Sequence, residues 1–144
     1  MYLSQLHISK FRVFDDITLY FKSGINILIG ENNSGKTAII DALRICLGCG
    51  KPDNLVYIQE SDLHLNPENP TETNNTIQFD LIFEFGNASI EKECFYDFIS
   101  QDKDNPDKQT IQLHLKFIQE NNGKKKYFKR IIWGGDCLLY TSPS

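Results

Sequence analysis

The stretch Gly30-Glu31-Asn32-Asn33-Ser34-Gly35-Lys36-Thr37 constrains the structure more than any other part of the sequence. It fits G-x-x-x-x-G-K-[ST], the pattern of the phosphate-binding P-loop. Its two glycines allow the loop to turn backbone N–H groups inward, because glycine adopts angles that other residues avoid. Lys36 is expected to reach the β- and γ-phosphates, and the Thr37 hydroxyl is expected to ligate Mg²⁺. The sequence therefore predicts a nucleotide site formed by residues 30–37 and the adjoining Ala38.

The sequence around this loop is typical of the strand and the helix that flank a P-loop. Residues 25–29 form a short apolar run rich in isoleucine, which predicts a strand covered on both faces. A helix is predicted to begin near Lys36 and to end before Gly48. Its apolar face is expected to contain Ile39, Ile40, Leu43, Cys46 and Leu47.

Length, composition and charge exclude several classes of protein. The 144 residues suffice for one domain with a core, and 40% hydrophobic with 24% charged residues is typical of a soluble globular protein. The net charge of −4 gives no global basic footprint for nucleic acid. No stretch approaches the roughly 20 apolar residues of a membrane span, and the N-terminus lacks the features of a secretory signal. We therefore predict a cytoplasmic protein with no membrane partner.

The four cysteines leave three interpretations open. Cys46 and Cys49 are spaced C-x-x-C, but Cys94 and Cys137 form no second pair of that kind. A zinc site normally needs four ligands from compact knuckles, so a zinc site and a redox site are both disfavoured. Cys46 lies on the predicted apolar helix face, where a thiol behaves as a small hydrophobe. Ordinary reduced thiols are the favoured interpretation.

Alternating apolar and polar residues predict an antiparallel sheet. Residues 2–9 and 17–22 alternate and are expected to pair as a hairpin that turns at Asp15-Asp16, with residues 11–14 extending either strand. Residues 76–85 and 111–117 predict two further strands. The turn signal Asn121-Asn122-Gly123 joins the second of these to a partner strand at 127–133.

The remaining segments carry weaker signals. Residues 48–76 read as a connecting loop with at most a short strand at 55–58, and His64 within it is expected to be a surface histidine. Residues 88–99 predict an amphipathic helix. The hairpin over 121–130 is rich in lysine, which suits either nucleic-acid phosphates or a solvated edge that discourages strand pairing.

Residues 6–14 and 24–43 together resemble the N-terminal ATPase lobe of the RecF/SMC-type ABC ATPases, an AAA ATPase-like P-loop domain. Within that group they look most like the OLD family of ATP-dependent endonucleases. Asn32 matches an asparagine that is usual at the third loop position, and Asn33 replaces the glycine of SMC-like members, as is commoner in OLD-like proteins. Residues 58–63 also resemble the segment after the first helix, so the specific match covers roughly the first 65 residues.

The resemblance implies an α/β fold: a P-loop NTPase, specifically an ABC-type head lobe with an antiparallel β-subdomain beside the P-loop strand and helix. It implies ATP and Mg²⁺ as cofactors, a second ATPase head as partner in a homodimer, and DNA as a partner of the full-length protein. Arg12 lies where the family places a basic residue near the bound phosphates. The alternative for Arg12 is a solvated arginine at the end of a strand.

Two motifs of an ABC-type ATPase, the Walker B segment and the signature motif, are missing from the sequence. Residues 94–97 and 81–84 are the nearest candidates for a Walker B segment, yet neither has its Asp-Glu pair, and no Leu-Ser-Gly-Gly signature is present. We therefore expect an incomplete domain over 1–136 that binds ATP without efficient hydrolysis, followed by a non-native or disordered tail over 137–144. A self-contained kinase or GTPase and a non-catalytic nucleotide-sensing module are the alternatives.

Overall fold

A computed structural model of the chain describes residues 1–31, 35–48, 57–68, 75–85, 96–101 and 109–135. These residues contain a sheet, one α-helix and two short 3₁₀ helices at Glu60–Asp62 and Tyr96–Phe98. The helix α1 spans Lys36–Leu47. The strands are β1 (Tyr2–Phe11), β2 (Phe14–Tyr20), β3 (Thr76–Glu84), β4 (Ile99–Gln101), β5 (Gln109–Asn122) and β6 (Lys125–Gly134).

The six strands form one sheet in which every described pairing is antiparallel. The order is β2-β1-β3-β5, and β4 and β6 pair with successive parts of the far edge of β5. Leu6 faces Leu81, and Ile8 faces Phe79, across the β1–β3 pair. Because directly opposed residues share a face, this register gathers the apolar residues of alternate positions on one side of the sheet.

Helix α1 covers that apolar side. One cluster of buried residues joins Ala38, Ala42 and Ile45 of the helix to the central strands. Ile39 and Cys46 are buried as predicted, whereas Ile40 and Leu47 are 38% and 52% exposed. The prediction for these last two was wrong, because the stripe that packs on the sheet is centred on Ala42.

The strand predictions are largely confirmed. β3 matches the predicted strand at 76–85, and β5 and β6 contain the predicted strands at 111–117 and 127–133. The turn between β5 and β6 includes Gly123, which has a positive φ of 63°. Hence alternation and turn chemistry were sufficient to find β3 and the β5–β6 hairpin.

Two boundaries were predicted wrongly. The β1–β2 turn lies at Arg12-Val13, whereas Asp15 and Asp16 are part of β2. Of the helix predicted at 88–99, residues 96–98 form a 3₁₀ helix and residue 99 begins β4, because the chain there pairs with β5. The rest of that predicted helix, residues 88–95, lies outside the described residues.

The predicted P-loop strand is the largest correction. Residues 25–29 form no strand, and Ile25, Ile27 and Ile29 are 92%, 77% and 92% exposed. A strand needs a hydrogen-bonded neighbour, and none of the strands in the described part of the chain pairs with this segment. Within the described ranges, no sheet therefore covers this apolar segment.

Other predictions fall on the loop regions. Of the short strand predicted at 55–58, residues 57–58 are irregular and the rest lie outside the described ranges, as do residues 137–144. No helix within the described segments is long and apolar enough to cross a membrane.

Candidate nucleotide-binding site

The P-loop motif predicts that phosphates bind at the N-terminus of α1. Gly35 precedes the helix with φ 93°, a left-handed angle that favours glycine. A Cβ added there would lie 2.4 Å from Cζ of Phe14, so both the angle and the available space require glycine. Among the described residues, no side chain caps the first turn, and the first turn contains no acidic residue. Backbone N–H groups at such a terminus are suited to bind an anion.

Lys36 lies at the mouth of the predicted loop. Its Nζ donates a hydrogen bond to the carbonyl oxygen of Gly30, at 3.3 Å. This contact brings the first and the seventh positions of the motif together. Gly30 and Glu31 are described and have irregular backbone, whereas the predicted ligands Asn32, Asn33 and Ser34 lie outside the described residues. The Lys36 side chain therefore points back toward the first residue of the motif.

A cavity of about 550 Å³ adjoins Lys36 and Thr37. Residues from the segment before the loop and from the exposed side of α1 line it: Asn26, Ile27, Leu28, Lys36, Thr37, Ile40, Asp41 and Arg44. Asp41 lies one helical turn after Thr37 and so shares its face of α1. The cavity thus combines two basic residues, one hydroxyl and one carboxylate.

Arg12 is held by two carboxylates. Its Nη1 donates to Oδ2 of Asp41 at 2.6 Å, and its Nε donates to Oδ1 of Asp62 at 2.9 Å. Burial lowers the pKa of Arg12, but these hydrogen bonds and charges outweigh it, and the net pKa is raised. The guanidinium also lies over the Phe11 ring, 4.8 Å from its centroid. The arginine predicted as either phosphate-facing or solvated is therefore part of an ion-pair network that reaches α1.

Hydrogen bonds also hold the backbone of Arg12. Its φ is 53°, a left-handed angle that is unusual for a residue other than glycine. The Arg12 N–H donates to the Asp62 carbonyl at 2.7 Å, and the Arg12 carbonyl is 2.8 Å from Nδ1 of His64. His64, predicted as a surface histidine, is thus half-buried and hydrogen-bonded to this turn. Segment 59–64 holds the β1–β2 turn in place.

Sequence reasoning missed Asp41 and Asp62 as parts of the site. Asp41 follows Thr37 by four positions in a predicted helix, which would have placed it on the same face. Asp62 is buried and its carboxylate also accepts from the Gln59 N–H at 2.8 Å, so it closes a 3₁₀ turn. No local pattern connects it with Arg12, which is 50 residues away.

The other candidate residues lie elsewhere. Glu84 and Asp97, the acids of the two rejected Walker B segments, are not among the residues that line the cavity. Cys46 is buried in the α1 core, as the thiol interpretation predicted, and the other three cysteines are outside the described ranges. No group of three or more His, Cys, Asp or Glu residues in the described part of the chain could hold a metal ion.

The fold matches a known class. A solved structure from work on the "structural biochemistry of ATP-driven dimerization and DNA stimulated activation of SMC ATPases" superposes with a TM-score of 0.60, at 14% identity, over 93% of this chain and 69% of the other. That likeness, with the P-loop motif and the antiparallel sheet, defines an ABC-type head lobe of a P-loop NTPase.

The sequence comparison identifies the family. The model of the AAA domain family matches residues 5–134, and the chain belongs to that family. The curated relatives include the DNA replication and repair protein RecF of Limosilactobacillus reuteri, 42% identical over 45 residues, which are 31% of this chain and 12% of RecF. The DNA double-strand break repair Rad50 ATPase of Thermoplasma volcanium is 38% identical over 47 residues, 33% of this chain and 5% of Rad50.

The aligned regions span at most about an eighth of these curated relatives. The family supports the coarser prediction, an ATP-binding ABC-type ATPase lobe related to RecF and Rad50. An OLD-type endonuclease is a finer assignment, which rests on the sequence resemblance of Asn33 and of residues 58–63 alone.

Proposed function

We propose that this chain binds ATP with Mg²⁺ at the N-terminus of α1, as the first lobe of an ATP-dependent DNA-processing protein. The single observation that supports this most is the Gly35–Lys36 junction. There a helix N-terminus that no described side chain caps, a left-handed glycine and a lysine that contacts Gly30 meet beside a cavity.

The residues present fit such a ligand. Backbone N–H groups of the first turn and the ammonium of Lys36 supply positive charge, and Thr37 supplies a hydroxyl of the type that ligates Mg²⁺ in P-loop proteins. Gly30, Glu31, Asn32, Asn33, Ser34 and Ala38 complete the proposed binding set. When bound, Mg²⁺ would neutralise phosphate charge, and the chain's own groups would bind and orient the nucleotide.

Exposed apolar residues support the proposal that more polypeptide completes this unit. Ile25, Ile27 and Ile29 project from the segment before the loop, and Ile40 and Leu47 project from α1. Of these residues, Ile27 and Ile40 line the same cavity, and exposed apolar side chains grouped in this way are typical of an interface. We propose that further parts of a full-length protein, including a second ATPase head, cover it and contribute the missing catalytic groups.

The finer proposal is an OLD-family endonuclease that acts on DNA. It is supported by Asn33 in the loop and by the sequence at 58–63. A longer reading frame that contains a Walker B segment and then a carboxylate-rich domain would support it. A long heptad coiled coil in that position would instead indicate an SMC relative.

Calorimetry with Mg·ATP tests the binding proposal. Lys36→Ala removes a charge-assisted contact of about 1.5–3 kcal/mol, so affinity should fall by roughly 10- to 150-fold. Lys125→Ala, an exposed lysine on the hairpin, is the matched control and should bind as the wild type does. Equal affinity of the wild type and Lys36→Ala, with unchanged circular dichroism, would refute the P-loop assignment.

Phosphate release tests the proposal that catalytic groups are missing. Hydrolysis needs a group that positions the attacking water, and loss of such a group costs about 10²- to 10⁴-fold. The 144-residue chain should bind ATP and show no steady turnover above background, with or without duplex DNA. Turnover that disappears in Lys36→Ala would show that an acid of this chain, with Asp97 and Glu84 tested first, is catalytic.

A further inference from the structure

We propose that His7 and His114 both carry a positive charge in the folded protein at neutral pH, and that loss of one proton from each in mildly alkaline solution loosens β2 and the end of β6. Two imidazoles and two carboxylates alternate across the face of the sheet opposite α1, in the order Asp16, His7, Asp80, His114. We call these four side chains the imidazole–carboxylate chain. None of the four is among the residues that line the cavity beside Lys36.

Each of the four ring nitrogens faces an oxygen that accepts hydrogen bonds. In His7, Nδ1 is 2.8 Å from Oδ2 of Asp80, and Nε2 is 2.7 Å from Oδ1 of Asp16. In His114, Nδ1 is 2.5 Å from Oδ1 of Asp80, and Nε2 is 2.9 Å from the carbonyl oxygen of Gly135. A neutral imidazole donates from one nitrogen only, whereas the imidazolium donates from both. A neutral ring would direct a lone pair at one of these oxygens, so the geometry favours the charged form of both rings.

The surroundings of the rings favour the same charge state. Burial raises the pKa of Asp80, but the hydrogen bonds from His114 and His7 lower it to about 2, so Asp80 is ionised at neutral pH. Burial lowers the pKa of His7, but the hydrogen bonds and charges of Asp80 and Asp16 outweigh it, and the net pKa is raised. The His114 ring stacks on Trp133, with 5.1 Å between the ring centroids and 19° between the planes. An indole face attracts a cation, so this stacking also favours a charged His114.

The other charged side chains on this face balance one another. Among the described residues, the strand register places these four on the same side of the sheet as the imidazole–carboxylate chain: Glu84, Lys116, Glu120 and Lys129. Two acids and two lysines contribute no net charge, and the tyrosines of this face are neutral near pH 7. Lys116 lies two residues from His114, and the residue directly opposite Lys116 on β3 is Gln78, whereas Asp80 is directly opposite His114. The carboxylate is therefore the charged neighbour that His114 contacts.

Deprotonation would act at the two ends of the imidazole–carboxylate chain. In each ring Nδ1 donates to Asp80, so the central contacts need only one proton on each ring. The second proton of His7 holds Asp16 on the edge strand β2, and the Asp16 side chain is 67% exposed and can turn into water without it. The second proton of His114 holds the carbonyl of Gly135, which follows the last residue of β6. Loss of these two protons therefore weakens the attachment of β2 and of the end of β6.

Urea denaturation at pH 6, 7 and 8 tests the sign of this effect on the whole 144-residue chain. A histidine that is held charged by the fold stabilises it fully below the ordinary pKa of about 6.5, and this stabilisation is lost as the pH rises through the pKa of the folded state. The folded state would bind up to two more protons than the unfolded chain. The unfolding equilibrium constant should therefore rise by up to about 100-fold per pH unit above pH 6.5.

A double variant, His7→Gln with His114→Gln, should lose this pH dependence. His64→Gln is the matched control and should retain it, because His64 lies outside the imidazole–carboxylate chain and contacts the Arg12 carbonyl. Equal stability of the wild type at pH 6 and pH 8 would overturn the proposal, as would a pH dependence that is unchanged in the double variant.

Two measurements on the unsubstituted chain decide the matter if the double variant does not fold. NMR of the imidazole nitrogens at pH 7 should show both nitrogens of His7 and of His114 protonated. Trp133 is the only tryptophan of the sequence, and a charged imidazole stacked on an indole quenches its fluorescence, so the emission should increase as the pH rises above 7. A neutral His7 or His114 at pH 7, or emission that does not change between pH 6 and pH 9, would overturn the proposal.

Discussion

The central sheet and the segment that leads into the phosphate loop have similar sequences and different structures. Both regions contain isoleucines in an apolar pattern. In the sheet, Ile8 and Ile77 are completely buried, whereas Ile25 and Ile29 before the loop are 92% exposed. The sheet strands have hydrogen-bonded neighbours on the described chain, and the segment at 25–29 has none there. The comparison shows that apolar sequence gives the capacity for a strand, and that a pairing partner turns it into one.

The largest expected effect comes from the same substitution made in the two regions. Ile8→Ala should lower the free energy of unfolding by about 2–5 kcal/mol, because it leaves a cavity in the packed core. Ile27→Ala should change it by less than about 0.5 kcal/mol, because Ile27 is 77% exposed. Urea denaturation of both variants measures the difference. Similar losses in the two variants would mean that 25–29 is packed in solution.

A second pair of substitutions compares a glycine before the phosphate loop with a glycine at the end of that loop. Gly24 and Gly35 have φ of 97° and 93°, so alanine is strained at both. Nothing lies within 4 Å of a Cβ added at Gly24, whereas Phe14 and Val13 would clash with one at Gly35. Gly35→Ala should therefore cost about 2–3 kcal/mol and Gly24→Ala about 1 kcal/mol.

Thermal denaturation of the two glycine variants provides the readout. Nucleotide affinity adds an independent one, because only Gly35 adjoins Lys36. Equal destabilisation of both variants would show that the packing of Phe14 and Val13 against Gly35 adds nothing to the cost of the substitution.

The sequence was sufficient for features that depend on neighbours along the chain. Alternation of apolar and polar residues predicted β3 and β5, and the turn at Gly123 predicted β6 as the partner of β5. The P-loop motif and Gly48 predicted the beginning and the end of α1. The β1–β2 turn was misplaced because Asp15 and Asp16 are typical turn residues, yet they belong to the edge strand β2, where charged side chains are well solvated.

Features that depend on distant residues were not predictable in this way. Arg12 contacts Asp41 and Asp62, which are 29 and 50 positions away, and no spacing in the sequence indicates that pairing. The exposure of 25–29 depends on which strands are available to pair with it. The motif predicts where the site lies, and long-range contacts bring Arg12 to Asp41 and Asp62.

The smallest of these effects concerns the face of the sheet opposite α1, where Asp80 is hydrogen-bonded to two histidines. Asp80 on β3 accepts from His7 on β1 at 2.8 Å and from His114 on β5 at 2.5 Å. Burial would raise the pKa of Asp80, but the hydrogen bonds from His114, His7 and Gln78 outweigh it and lower the pKa to about 2. The sheet thus gains a pH-dependent contribution from this face.

The sign of that contribution follows from the lowered pKa. The ionised Asp80 stabilises the fold at pH above its ordinary pKa of 3.8, and this stabilisation is lost as the pH falls toward 2. The shift corresponds to about 2 kcal/mol, so Asp80→Asn should lower the free energy of unfolding by that amount at pH 5 and scarcely at all at pH 2. Asp97→Asn, at an exposed position, is the control. Denaturation curves from pH 2 to 6 measure the difference, and a pH-independent loss in Asp80→Asn would show that packing, and not charge, makes this face stable.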